Sequence, residues 1–316
     1  GSGSSGGLVN IVNDRILTTL PDEATGSANT SYDSVSNGRA ASGHVDTSFE
    51  SIAIHVDTAI NNNQNYRIPG NSTQGGPNQV WGVPPGGPFE NYTGKLPNSF
   101  NNQNNLGVGA SYIGKSGYTG ISVERMNNNY GIPTPEGGMI AQSQNRYDFQ
   151  HQTRDPFAGF SSIKFSAANS NYNHTEFASS GVAASVWKNI ANEARLELTH
   201  NPIWGWKGTF GAQVTTASLN ATEVGSGNYS IVPQTNTNSN ALFWIEEGKW
   251  GPLQGNLGLR YNTVFQNPNT STTLDQQLMD NGSSTPTITL QNRQFNLMSY
   301  SAGGLWNFMT GHGLGL

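Results

Sequence analysis

Cysteine is absent from the 316 residues, so neither a disulfide framework nor a thiolate metal site is available. Charge is scarce. Asp, Glu, Lys and Arg make up 11% of the chain, against about 25% in a typical soluble domain. The net charge is only -5 and no basic run occurs, so nucleic acid is not an expected partner. No stretch of about 18 apolar residues exists, which excludes a membrane-spanning helix. No signal peptide is visible at Gly1, and nothing about export follows from that. No Ser-His-Asp set and no nucleophile beside a base stands out; His151 and Asp155 near 154–156 read as rim residues. The expectation is therefore a protein without catalytic residues and without a required cofactor, not an enzyme.

Apolar residues are also few, at 34%, while Gly reaches 39 residues and aromatics 10%. Disorder fits low charge and low hydrophobicity, but it comes with few aromatics. A sheet with one lipid-facing side and one wet, nearly uncharged side fits all three numbers.

The local pattern has period two. In 51–60, Ile52, Ile54, Val56, Thr58 and Ile60 fall on one face, and Ala53, His55, Asp57 and Ala59 on the other. In 104–113, Leu106, Val108, Ala110 and Tyr112 alternate with Gly and Ser. Ile121 and Val123 continue the pattern, and similar alternation recurs in 146–152, 162–167, 193–199, 210–215 and 253–262. Such alternation marks half-buried strands, and segments of about 10 residues suit tilted strands crossing a bilayer.

Connections alternate as well. Short turns are expected at 50–51, 114–117, 155–160, 201–206, 248–252 and 310–313. Long Asn-, Gly- and Pro-rich loops are expected at 61–100, 126–144, 169–182, 221–240 and 266–293. Short turns on one side and long loops on the other describe an outer-membrane barrel. The count is about twelve strands plus the start of another at 314–316. Trp204, Trp206 and Trp250 beside short turns would form an aromatic girdle at the headgroup level; the alternative is that they cap a soluble core.

Gly1-Ser2-Gly3-Ser4-Ser5-Gly6 matches G-x-G-x-x-G. A dinucleotide site needs a strand before the motif and a helix after it. Nothing precedes it, and Leu8-Val9-Asn10-Ile11-Val12-Asn13 is strand-like, so the nucleotide reading is rejected. A cloning linker over 1–7 is a second reading.

Extended to Gly7-Leu8-Val9-Asn10-Ile11-Val12-Asn13-Asp14-Arg15, the segment resembles the close of the plug domain in TonB-dependent outer-membrane receptors. There a Gly/Ser turn and Gly-Gly precede a short apolar run with Asn-Ile, before the first barrel strand. Gly3, Gly6, Gly7, Asn10 and Ile11 carry the match. Asn65 to Gly70, Tyr130 to Pro133, Asn145 to Asp148, Arg154 to Pro156, Tyr172 to Phe177 and Glu193 to Leu198 resemble the ZnuD-like zinc-receptor branch of that family.

The resemblance implies an all-β fold: a transmembrane antiparallel up-and-down β-barrel, with the tail of a plug domain. Residues 1–23 would be the end of the plug and its linker, and 24–316 the N-terminal part of the barrel, with the first strand at 24–32. Family barrels have about 22 strands, so this chain would supply about 12–13 of them. Localisation would be the bacterial outer membrane. Implied partners are outer-membrane lipid and lipopolysaccharide, a small ligand, and the TonB-ExbB-ExbD complex acting through an N-terminus not in this chain. The protein is expected to be a monomer.

The implied cargo is a scarce metal ion, zinc first, or a small metal chelate. Alternatives are a ferric siderophore and a passive porin-like channel. His174 and Glu176 are two apart and share one face of an extended segment, so both could ligate one zinc ion. The same pair fits a hydrogen-bonded surface His beside a Glu, and the loops lack His-rich tracts. His55 and Asp57 are read as polar lumen residues touching the plug.

Overall fold

The computed structural model describes residues 13–72, 93–133, 137–225, 232–269 and 290–315. The motif residues Gly3, Gly6, Gly7, Asn10 and Ile11 lie outside them.

Thirteen strands form one antiparallel sheet in which every neighbour is the next strand of that sheet in the chain. They are β1 (Thr25–Asp33), β2 (Gly38–Phe49), β3 (Ile52–Asn63), β6 (Asn101–Gly114), β7 (Gly117–Ile132), β8 (Gly138–Phe157) and β9 (Phe160–Ala178), followed by β10 (Ala183–His200), β11 (Trp206–Glu223), β12 (Thr235–Trp250), β13 (Leu253–Pro268), β14 (Arg293–Met309) and β15 (His312–Gly315). A separate hairpin, β4 (Arg67–Asn71) with β5 (Thr93–Lys95), sits within the β3–β6 connection. Among the described residues no helix is long and apolar enough to cross a membrane, which says nothing about crossing by strands.

The up-and-down order, the strand number and all six short turns agree with the sequence reading. Two expected long loops do not. Most of 126–144 and 169–182 is strand, because β7 and β8 run to Ile132 and from Gly138, and β9 and β10 to Ala178 and from Ala183. The β1–β2 connection at this end is short too. Loop length therefore does not alternate strictly. The missed segments, such as Asn127-Asn128-Asn129 and Asn169 to Asn173, are polar on both faces. They give no period-two hydropathy signal, yet their backbone groups still pair along the ladder.

Side chains alternate between two faces throughout. The inner face is the one on which residues 15–16 lie: Ala53, His55, Gly109 and Ser111 are buried there. The outer face carries Ile54, Val56, Val108, Ile121, Leu196 and Phe210, all exposed. Leu242 is 65% exposed and Tyr300 86%. Burying a side chain of this size stabilises by about 1.5–3 kcal/mol. A single sheet that leaves a whole face of them uncovered needs an apolar phase against that face.

At the turn ends, Trp206 and Trp250 meet edge to face at 4.7 Å on the outer face, and Trp250 Nε1 donates to the Trp204 carbonyl at 2.9 Å. Trp204 itself is 91% exposed. The three rings cluster at one spot on the short-turn rim, beside the β10–β11 and β12–β13 turns, and close no globular core.

Candidate functional site

Glycines on β6 and β7 open a groove on the inner face. A side chain at Gly107 would meet the Arg15 and Asp57 side chains, one at Gly109 the Arg15 carbonyl, and one at Gly120 the Ile16 side chain. Arg15 and Ile16, from the segment before β1, fill that groove and are buried.

Arg15 reaches two strands at once. Its Nε donates to Asp57 Oδ2 at 2.6 Å and Nη2 to Asp57 Oδ1 at 2.9 Å. Its Nη1 and Nη2 donate to Glu124 Oε2 and Oε1 at 2.6 and 2.9 Å. Both pairs are bidentate, the strongest carboxylate geometry available to arginine. The proton affinity of Arg15 is raised, first by hydrogen bonding to Asp57, against which burial acts, and then by Glu124. His55 continues the network: Nδ1 lies 2.5 Å from Asp46 Oδ1, and Nε2 3.2 Å from Asp57 Oδ2. The sequence placed His55 and Asp57 on the inner face correctly. It did not pair Asp57 with Arg15, and Glu124 was missed. The alternating glycines of β6 were the available signal.

The second candidate lies near the far end of β9, away from the short turns. His174 and Glu176 share the inner face, with Nε2 and Oε1 3.6 Å apart. Neighbours orient each of them. Trp187 stacks on the His174 ring at 5.5 Å, and Tyr172 Oη lies 2.8 Å from its Nδ1. Trp187 Nε1 donates to Ser185 Oγ at 3.0 Å, and Ser185 Oγ donates to Glu176 Oε2 at 2.6 Å. His174 Nε2 is buried without a hydrogen-bond partner.

Zinc forms bonds of about 2.0–2.2 Å to His nitrogen and carboxylate oxygen. A 3.6 Å separation lets both atoms reach one ion at an obtuse angle. In the tautomer whose Nδ1–H donates to Tyr172 Oη, Nε2 keeps its lone pair free, as a metal-ligating His requires. The donor set is incomplete: among the described residues no group of three or more His, Asp or Glu could hold a metal ion.

Elsewhere on the inner face, Arg195 lies over the Phe243 ring at 4.2 Å and pairs with Glu197 at 2.7 Å. Arg146 pairs with Asp148 at 2.7 Å. The inner face thus carries most of the carboxylates of the sheet, with the His200–Glu246 pair on the outer face as an exception.

No protein-family model matches the chain. Among solved structures, it superposes on the copper transporter OprC with a TM-score of 0.66 and 10% identity, covering 92% of this chain and 44% of that one. For the FrpB iron transporter from Neisseria meningitidis (F3-3 variant) the TM-score is 0.64 and the identity 9%, over 92% and 45% of the two chains. For the alcaligin outer-membrane receptor FauA from Bordetella pertussis they are 0.54 and 10%, over 90% and 41%. The chain has the fold of part of such a barrel, and it spans less than half the length of each of these proteins.

Proposed function

We propose that this chain is the end of the plug and the first part of the barrel of a TonB-dependent outer-membrane receptor that imports a metal ion or a small metal chelate. One observation carries the reading. A segment preceding β1 lies on the inner face and is tied by Arg15 to Asp57 on β3 and Glu124 on β7. A passive channel would have an inward-folded constriction loop and no plug, whereas a receptor has a plug segment running into its first strand from the inner face. The exposed apolar outer face, charged inner face and Trp rim support a barrel wall set in the outer membrane.

The printed names of the structural neighbours speak of copper and iron transport and of alcaligin. They favour metal or metal-chelate cargo for this chain without favouring zinc. Our first choice remains zinc, because His174 offers a buried, unpartnered Nε2 beside Glu176. The missing ligands would come from the plug or from strands beyond this chain. A ferric siderophore is the second reading. Transport itself would need no covalent chemistry: loops and plug bind the cargo, and energy delivered through TonB-ExbB-ExbD releases it.

The test uses the full-length product purified from outer membranes, with heat-modifiable migration and calorimetric titration of zinc and of a ferric chelate. Barrel-type migration with sub-micromolar zinc binding is the expected result. A barrel that ignores zinc and binds the chelate moves the cargo to siderophores. A soluble product that does not shift on heating contradicts the barrel.

A further inference from the structure

Above the apolar band, the outer face changes chemistry abruptly. On β6 the outward residues pass from Val108 and Leu106 to Asn104 and Asn102, on β9 from Phe165 and Ala167 to Asn169, Asn171 and Asn173, and on β12 from Trp244 and Leu242 to Asn240, Asn238 and Asn236. Ile60, Ile190 and Phe265 interrupt the polar stretch, and Val186, Met139 and Phe177 lie at its far edge.

The border follows a plane across the sheet. Asn169, Asn192 and Thr216 stand in one register row, as do Ala167, Ala194 and Val214 just below it. Between β6 and β7, β8 and β9, and β11 and β12 the border steps toward the short turns. A level cut through tilted strands does this.

Charge distinguishes the two faces at this height. The inner face holds Glu124, Glu176, Glu193 and Glu223. The outer face above the band holds Arg39, Arg125 and Lys188 and, among the described residues, no carboxylate. Asn is disfavoured in strands, and a face needing only hydration could use Thr, Lys or Glu. The amides are instead aligned by one another. Asn127 Nδ2 donates to Asn104 Oδ1 at 3.1 Å, Asn169 Nδ2 to Asn192 Oδ1 at 2.7 Å, and Asn192 Nδ2 to Thr216 Oγ1 at 3.2 Å. Each amide keeps unused donor and acceptor capacity facing outward.

The face is continuous with the apolar band, so whatever lipid covers Val108, Ala167 and Leu242 places its headgroup against these amides. We propose that the belt is a contact surface for the sugar headgroups of glycolipids in the surrounding leaflet. Uncharged amides match hydroxyls, which both donate and accept. Phosphate would call for a denser set of Arg and Lys. This inference rests on the membrane reading above.

The test places the full-length protein in phosphatidylcholine nanodiscs, alone or with added monoglucosyl diacylglycerol or phosphatidylglycerol. Lipids retained by the protein are read by native mass spectrometry. The glucolipid should be enriched over phosphatidylcholine by roughly two- to tenfold, the worth of one or two net hydrogen bonds, with little dependence on salt. The triple variant Asn104→Leu, Asn127→Leu, Asn192→Leu should lose the enrichment, and Asn105→Ala on the inner face should keep it. If the triple variant does not fold, the wild-type comparison still decides. Equal retention of all three lipids overturns the inference, and so does a salt-sensitive preference for phosphatidylglycerol lost in Arg125→Gln, Lys188→Gln. Either result leaves an embedded barrel standing; a product that stays in solution without lipid or detergent overturns the membrane reading itself.

Discussion

Arg15 is the residue that gives the inner face its meaning. Its guanidinium makes four hydrogen bonds to two carboxylates from strands on either side of β6. Lysine cannot reproduce two bidentate forks. Arg15→Ala should release the preceding segment at a local cost of about 1–3 kcal/mol, since the carboxylates stay partly wet. Hydrogen exchange of amides 14–16 should speed up accordingly while the strand ladder stays protected. Unchanged exchange would remove the latch from the account. At the other candidate, His174→Ala or Glu176→Ala should weaken zinc binding by at least roughly tenfold, read by calorimetry on the full-length receptor. Equal binding by wild type and both variants would reduce the pair to a stacked, hydrogen-bonded side-chain cluster. The spacing of this pair was legible in the sequence because residues i and i+2 share a face of any strand. The Trp187 stack and the Ser185 relay were not, since they come from a neighbouring strand whose register no local pattern fixes.

Among elements, β6 shows why glycine alternation matters. Gly107 and Gly109 remove the side chains where Arg15 must lie. Gly109→Val should displace the Arg15 backbone and undock the segment while the barrel still folds, seen as loss of protection at 14–16 with unchanged heat-modifiable migration. β11 uses the same device on the outer face. Gly208 leaves room for Glu246 to reach over it, so that His200 Nε2 lies 2.9 Å from Glu246 Oε1, with Trp244 Nε1 donating to the same oxygen at 2.8 Å. Both partners are buried. Gly208→Val should separate them and lower stability by roughly 2 kcal/mol or more, measured as a reduced urea midpoint for the refolded barrel. A midpoint equal to wild type would mean that the pair contributes nothing. Strand existence was readable wherever apolar and polar residues alternate, as in β3 and β6. It failed where both faces are wet, at the far ends of β7 to β10, because hydropathy cannot report backbone pairing there. The same segments supply much of the amide belt, so the feature that hid the strands is the one that marks their outer surface.

For the whole molecule, the account requires that the two faces meet different solvents. Composition pointed to this in outline, since low charge, low hydrophobicity and ample aromatics suit a one-layer sheet between lipid and water. Composition could not place the charges. The structure sorts nearly all strand carboxylates onto the inner face and most of the large apolar groups onto the outer one, Phe243 and Ile245 being inner-face exceptions. This chain has no cysteine, so single cysteines introduced along it are the only labelling sites within these residues. The decisive measurement is the collision accessibility of labels along β10 in the lipid-reconstituted full-length protein, to oxygen from the lipid side and to a water-soluble nickel chelate. Labels at Ala194, Leu196 and Leu198 should favour oxygen, those at Arg195 and Glu197 the chelate, and the outer face should switch to the chelate at Asn192. Uniform access of the chelate to both sets, with no period of two, would contradict a lipid-facing barrel wall.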